Sequence, residues 1–478
     1  MSRLRSLQYD GETRTSARRS ARLAAPPPAP AGVTWVREAS MAKQKSPQRR
    51  VILRTPARRL LERLEQADTL IRRKQWRAAR AWLLALTGSD PDSVEVWGRL
   101  VNVYAALDDM LGYQGAAERL LALDPRAHDV RPGLANAYLR NGLPTLALRT
   151  LRAFVRLTSE HPDAADARRL IARLELGTPA LLVELGLTGG AALKLAELHE
   201  EAQSALNQGD YARARQLTQT ILRQQPQIAP VLNNLTLAYA ADGHLEDGLA
   251  TTERVLAFEP DNVHALSNRA RILALLGRFE AGRTVAARLL ASTAPAVGGW
   301  LKRAEALSYV GLDQELLDLF SAYRQTQPVD VTGLDGMLWH LAAAAALRLG
   351  REAEARAWWQ AALELQPGLE LARANLNDLD QPPGERNGPW AYDLRYWLSP
   401  SAMRELAREF ETGRLREHTQ GPASRYLNRH PELLAVLPAW LARGAPDMRA
   451  LALMLIDACA VPALAQAAKR LSSKRQVD

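Results

Sequence analysis

Between residues 191 and 366 the chain alternates apolar helical stretches with single glycines on a fixed clock. Gly209, Gly243, Gly277 and Gly311 follow one another at intervals of 34 residues, and Gly350 continues the series after a five-residue insertion around "VDVTGLDGM". Prolines keep the same time at Pro226, Pro260 and Pro328, with Pro295 one place late and Pro367 after the insertion. A glycine can end one helix with a positive φ, and a proline falls where a second helix has to stop. Seven places before each glycine stand Ala202, Thr236, Ala270, Ala304 and Ala343; five places after stand Ala214, Gly248, Gly282, Leu316 and Ala355. Mostly small side chains at both places let two antiparallel helices approach closely, while larger residues such as Phe320 and Trp359 fill the seam between units. The pattern predicts repeated helix–turn–helix units that bury their apolar flanks only against neighbours.

The clock extends toward the N-terminus. Pro91 and Pro125 lie 34 apart, as do Tyr104 and Tyr138, and "VEVWGRLVNVYAAL" spaces Trp97, Leu100 and Tyr104 along one helix. Period, turn glycine, small-residue contacts and terminal proline together resemble the tetratricopeptide repeat over roughly residues 60–369. Lys74 and Asp108 replace the turn glycine, and the third N-terminal unit runs long through "LTSEHPDA". The resemblance implies an all-α, right-handed superhelical solenoid of 34-residue helix-turn-helix repeats in two blocks, plus a small helical C-terminal domain. The expected order is a disordered basic tail over 1–55, a first block over 56–176 and a linker or bend over 177–190. A second block with its closing helix "LELARANLNDL" follows over 191–380, then helices over 381–478. Near the end, Pro446, Asp447 and Arg449 resemble the turn of a HEAT-type pair; a bundle capping the last repeat is the other reading.

In the resembled family the first helices line a concave groove. Asn102 and Asn136 stand 34 apart on those helices, as do Asn234 and Asn268, with Lys302 next in register and Arg271 nearby. An amide both donates and accepts, so a column of amides can hold an extended backbone without demanding one side-chain sequence; equally, asparagines can simply solvate a helix face. The family's clamp for a C-terminal carboxylate uses Lys and Asn, and the matching places here read His199, Gln203, Asn234, His264 and Asn268. Only Asn234 keeps the family's residue type.

Composition narrows the partners. Of the formal charge of +10, residues 1–59 carry +11, from 14 Lys/Arg against three acids, so the body of the chain is close to neutral. A basic arm containing "AAPPPAPAG" suits contact with phosphate or an acidic surface, or serves as a solubilising leader; Met41 is a second candidate start. One cysteine and no run of 18 uncharged apolar residues point to a cytoplasmic address without a membrane segment. Chemistry is not expected. "ELGLTGGAALKL" lacks the Gly-Lys-Ser/Thr of a phosphate loop, the eight histidines are scattered, and Glu200 and Glu201, being adjacent, diverge on a helix. The sequence therefore reads as a non-enzymatic scaffold for a protein or peptide segment, without cofactor, metal or evident small-molecule substrate. The alternative is a nucleic-acid-associated protein that uses the basic arm on phosphates while its repeats hold a partner.

Overall fold

The computed structural model describes residues 56–292, 298–326, 335–413 and 421–458, and the regular structure among them is helical throughout. Two compact units divide the chain, one ending at Leu181 and the other beginning at Leu182. The basic tail, the start at Met41 and the nucleic-acid reading that rests on them fall on residues 1–55, outside the described residues.

The first unit pairs α1 (Pro56–Arg72) with α2 (Trp76–Ser89), α3 (Val94–Ala106) with α4 (Met110–Leu123), and α5 (Val130–Arg140) with α6 (Pro144–Leu157). Its turns place Lys74, Asp108 and Gly142 at matching positions, with φ of 56°, 54° and 75°. Only glycine adopts that region freely, so Lys74 and Asp108 are held there against a steric cost. Asp108 has a compensating partner in the next repeat: Arg140 Nη2 donates to its Oδ2 at 2.9 Å. That hydrogen bond holds the Asp108 carboxyl below its ordinary pKa.

The closing helix α7 (Ala164–Glu184) runs through Gly177 and Pro179, into the stretch expected to be a linker. Proline removes one backbone donor but leaves the following turns intact, and Thr178 Oγ1 donates to Leu174 O at 2.8 Å beside it. The glycine that ends the helix is Gly186, at φ 69°.

The second unit stacks five pairs: α8 (Ala192–Gln208) with α9 (Tyr211–Gln224), α10 (Ala229–Ala241) with α11 (Leu245–Phe258), α12 (Val263–Leu275) with α13 (Phe279–Ala291), α14 (Gly299–Val310) with α15 (Asp313–Gln325), and α16 (Asp335–Arg348) with α17 (Glu352–Leu365). Helix α18 (Glu370–Leu379) closes the stack. Consecutive helices pack together, and each first helix also touches the first helix of the next pair. Ala202, Thr236, Ala270, Ala304 and Ala343 are all completely buried, as their spacing requires, and Phe320 and Trp359 fill the seams. Thr236 satisfies its hydroxyl by donating to Leu232 O at 3.0 Å.

Beyond α18 come two 3₁₀ turns, Pro383–Glu385 and Leu394–Tyr396, then α19 (Pro400–Gly413), α20 (Pro422–Arg429), α21 (Leu433–Arg443) and α22 (Pro446–Ala458). Trp390, Tyr426, Leu437, Trp440 and Met448 form their core. These elements rest on the repeat turns: a Cβ at Gly243 would meet Ser399, one at Gly277 would overlap Ala435, and one at Gly311 would overlap Arg443. Gly277 is thus constrained twice, by its φ of 71° and by close approach, whereas Gly350, at φ 78°, has open space around it. Gly350→Ala is expected to cost roughly 1–2 kcal/mol, the left-handed penalty alone. Gly277→Ala should cost more by a further ~1–3 kcal/mol of overpacking, read from urea-denaturation midpoints of the two variants. Equal losses would mean that the C-terminal helices do not press on this turn.

Candidate functional site

The first helices of the second unit carry buried polar residues among their apolar ones. Asn234 on α10 and Asn268 on α12 are 9% and 7% exposed, so their amides are largely removed from bulk water. Asn234 Nδ2 has no hydrogen-bond partner among the described residues, a costly state for a buried donor. Neighbouring Asn233 Nδ2 donates to Asn262 Oδ1 at 3.3 Å, and Asn262 Oδ1 also caps α12 by accepting from Ala265 N at 2.9 Å. His199 on α8 is buried, and burial pushes its pKa down to about 4, so the imidazole is neutral near pH 7.

The other candidates are placed differently. Asn102 and Asn136 lie exposed on α3 and α5 of the first unit. Lys302 on α14 is engaged by Glu305 at 2.6 Å, and its backbone carbonyl accepts from Ser267 Oγ at 2.7 Å. Arg271 on α12 lies 5.3 Å from the centroid of the Tyr309 ring.

Part of the first-helix face already holds a non-helical piece of chain, the segment between the two 3₁₀ turns. Asn375 on α18 brackets the backbone of Trp390: its Nδ2 donates to Trp390 O at 3.0 Å and its Oδ1 accepts from Trp390 N at 3.0 Å. A further bond from Nδ2 to Leu371 O at 2.9 Å completes the buried amide. One turn on, Asp378 accepts from the backbone of Asn387 at 2.9 Å and of Gly388 at 2.9 Å. His340 on α16 bonds Ala391 O through Nε2 at 3.0 Å, while its Nδ1 accepts from Trp359 Nε1 at 3.1 Å. The indole can only donate, so Nδ1 carries the lone pair and Nε2 the proton. Tyr309 on α14 stacks on Tyr392 at 4.2 Å, with Trp397 edge-on to it at 5.5 Å.

The amide that does this work was absent from the sequence candidates, yet it stands in their register. Asn375 lies three repeat periods and the five-residue insertion beyond Asn268, at the place that Asn234 and Asn268 occupy in their own units. A second signal was available: Asn375 interrupts the buried stripe of Leu371, Ala372 and Leu379. A polar residue in an apolar stripe announces a specific partner.

Among the described residues no group of His, Cys, Asp and Glu could hold a metal ion, and no helix is long and apolar enough to cross a membrane.

A tetratricopeptide repeat family model matches residues 133–182 and 199–251. Solved structures similar to the chain include a tetratricopeptide repeat protein from Parabacteroides merdae, 12% identical with a TM-score of 0.35, over 59% of this chain and 97% of that one. Another is the P58(IPK) TPR domain, 13% identical with a TM-score of 0.25, over 87% of this chain and 98% of that one. A third is PilW, a type IV pilus biogenesis factor, 16% identical with a TM-score of 0.22, over 48% and 91%. No curated protein matches the sequence.

Proposed function

Because the chain is a tetratricopeptide-repeat protein, a fold that serves as a protein–protein interaction scaffold, we propose that its second unit captures an extended partner segment on the first-helix face. The segment would lie across α10 and α12, with Asn234 and Asn268 holding its backbone and no chemistry being done on it. One observation carries this reading. At the equivalent register Asn375 grips the backbone of Trp390 from both sides, so an amide at this place is suited to hold a strand of any side-chain sequence. The unpartnered Nδ2 of Asn234 supports it, since a bound carbonyl would satisfy that donor.

The test selects peptides from a random display library on the full-length protein and compares their affinity for the wild type and for Asn234→Ala/Asn268→Ala. Each lost hydrogen bond in a shielded site is worth ~1 kcal/mol, so the double variant should bind roughly tenfold to a hundredfold more weakly. Helicity by circular dichroism should be unchanged. Undiminished affinity in the double variant would place capture elsewhere.

A further inference from the structure

A cavity of about 560 Å³ opens between the repeats and the C-terminal helices of the second unit. Asp242, Arg271 and Leu275 wall it from the repeats; Tyr396, Trp397 and Met403 wall it from the other side. The charged groups on its wall are matched, with one exception. Asp242 pairs with Arg215, Arg395 with Asp393 at 2.5 Å, Glu405 with Arg429 at 3.2 Å, and His430 lies between Glu405 and Glu432. Arg271 has neither ion pair nor hydrogen bond among the described residues, and its Nε is buried without an acceptor. It lies over the face of Tyr309, 5.3 Å from the ring centroid. Glu305, whose charge favours the Arg271 cation, is itself held by Lys302 at 2.6 Å.

Arg271 is only partly buried, so its fork still reaches the cavity, but its Nε is shielded from water without an acceptor, and an anion of matching geometry would supply the ion pair and hydrogen bonds that it lacks. A cavity of this size, mostly apolar with one cation that has no ion pair among the described residues, has the make-up of a small-molecule site. We propose that it binds a small organic carboxylate on an aromatic or branched aliphatic body. The carboxylate takes the fork of Arg271 and the body packs among Leu275, Met403 and Trp397. The site is independent of the asparagine register, and its ligand would fasten the C-terminal helices to the repeats.

The probe is phenylacetate, added to the full-length chain and followed by thermal-unfolding shift and tryptophan fluorescence. Phenylacetamide, equal in shape but uncharged, is the control, and Arg271→Met is the variant. Phenylacetate should raise the melting temperature in a saturable way and perturb the fluorescence. Phenylacetamide on the wild type, and phenylacetate on Arg271→Met, should each bind at least roughly tenfold more weakly, as loss of a charge-assisted pair implies. Without ligand the variant should keep the wild-type helicity and melt close to the wild type, since only the contact with the Tyr309 face is lost. Should the variant fail to fold, the acid–amide comparison on the wild type decides alone. The absence of any shift with phenylacetate, or equal binding of acid and amide, overturns the proposal. So does a response confined to a dipeptide ending in phenylalanine, which would make the cavity a receptor for chain ends.

Discussion

Replacing Asn375 with leucine is expected to lower the stability of the second unit by about 3 kcal/mol, far beyond the effect of an ordinary helix substitution. Leucine keeps the branched shape but is bulkier than the amide, so the loss combines unmade hydrogen bonds with some overpacking at this buried place. Two backbone groups of Trp390, its N–H and its carbonyl, would remain buried without partners, each at roughly 1–3 kcal/mol. Asn377, two residues away on the exposed side of α18, provides the comparison. Asn377→Ala should change stability by no more than about 0.5 kcal/mol. Urea denaturation supplies both numbers, and limited proteolysis supplies a second readout. If Asn375 holds the segment, cleavage within residues 381–400 should accelerate in Asn375→Leu and not in Asn377→Ala. Identical digestion of the two variants would show that the aromatic contacts hold the segment unaided.

Those aromatic contacts mark where the sequence ceases to be readable. The helix pairs from α8 to α17 and the closing α18 follow from a local rule, in which small residues and glycines recur at one period, and they stand where that rule puts them. The positive φ of Lys74 and Asp108 follows from the same rule applied to residues that fit it poorly. The extent of α7 did not follow, because Pro179 breaks a pattern without breaking the helix when the donor it lacks is the only bond lost. Nor did the packing of residues 390–398. Tyr309 meets Tyr392, and Ser401 Oγ donates to Asp242 O at 2.9 Å, across separations of 83 and 159 residues that obey no period. The candidate site was half legible for the same reason: Asn234 and Asn268 share an uninterrupted register, whereas the insertion before α16 hides that Asn375 stands in the same register.

His340 gives the same segment a dependence on pH. Its imidazole is pushed down to about 4, chiefly by burial; the bond to Ala391 O pulls the other way and the charge of Arg348 adds to the lowering. In the unfolded chain the same group takes up a proton near pH 6.5. A folded pKa below the unfolded one means that the unfolded state binds the extra proton first. Stability is therefore full above about pH 6.5, falls as pH drops toward 4 and levels off below. The difference of about 2.5 units corresponds to ~3 kcal/mol, and His199, lowered to about 4 by burial, adds a second contribution of the same sign. Protonating Nδ1 of His340 would also set an N–H against the N–H of Trp359, so the folded state has no easy way to accept the charge. His340→Gln keeps a donor and an acceptor but does not titrate. Urea midpoints measured from pH 7.5 to 4.5 should fall steeply in the wild type and distinctly less in His340→Gln, leaving the share due to His199 and the carboxylates. Superimposable pH profiles for the two proteins would mean that His340 accepts its proton in place, and that acid does not loosen the hold on Ala391.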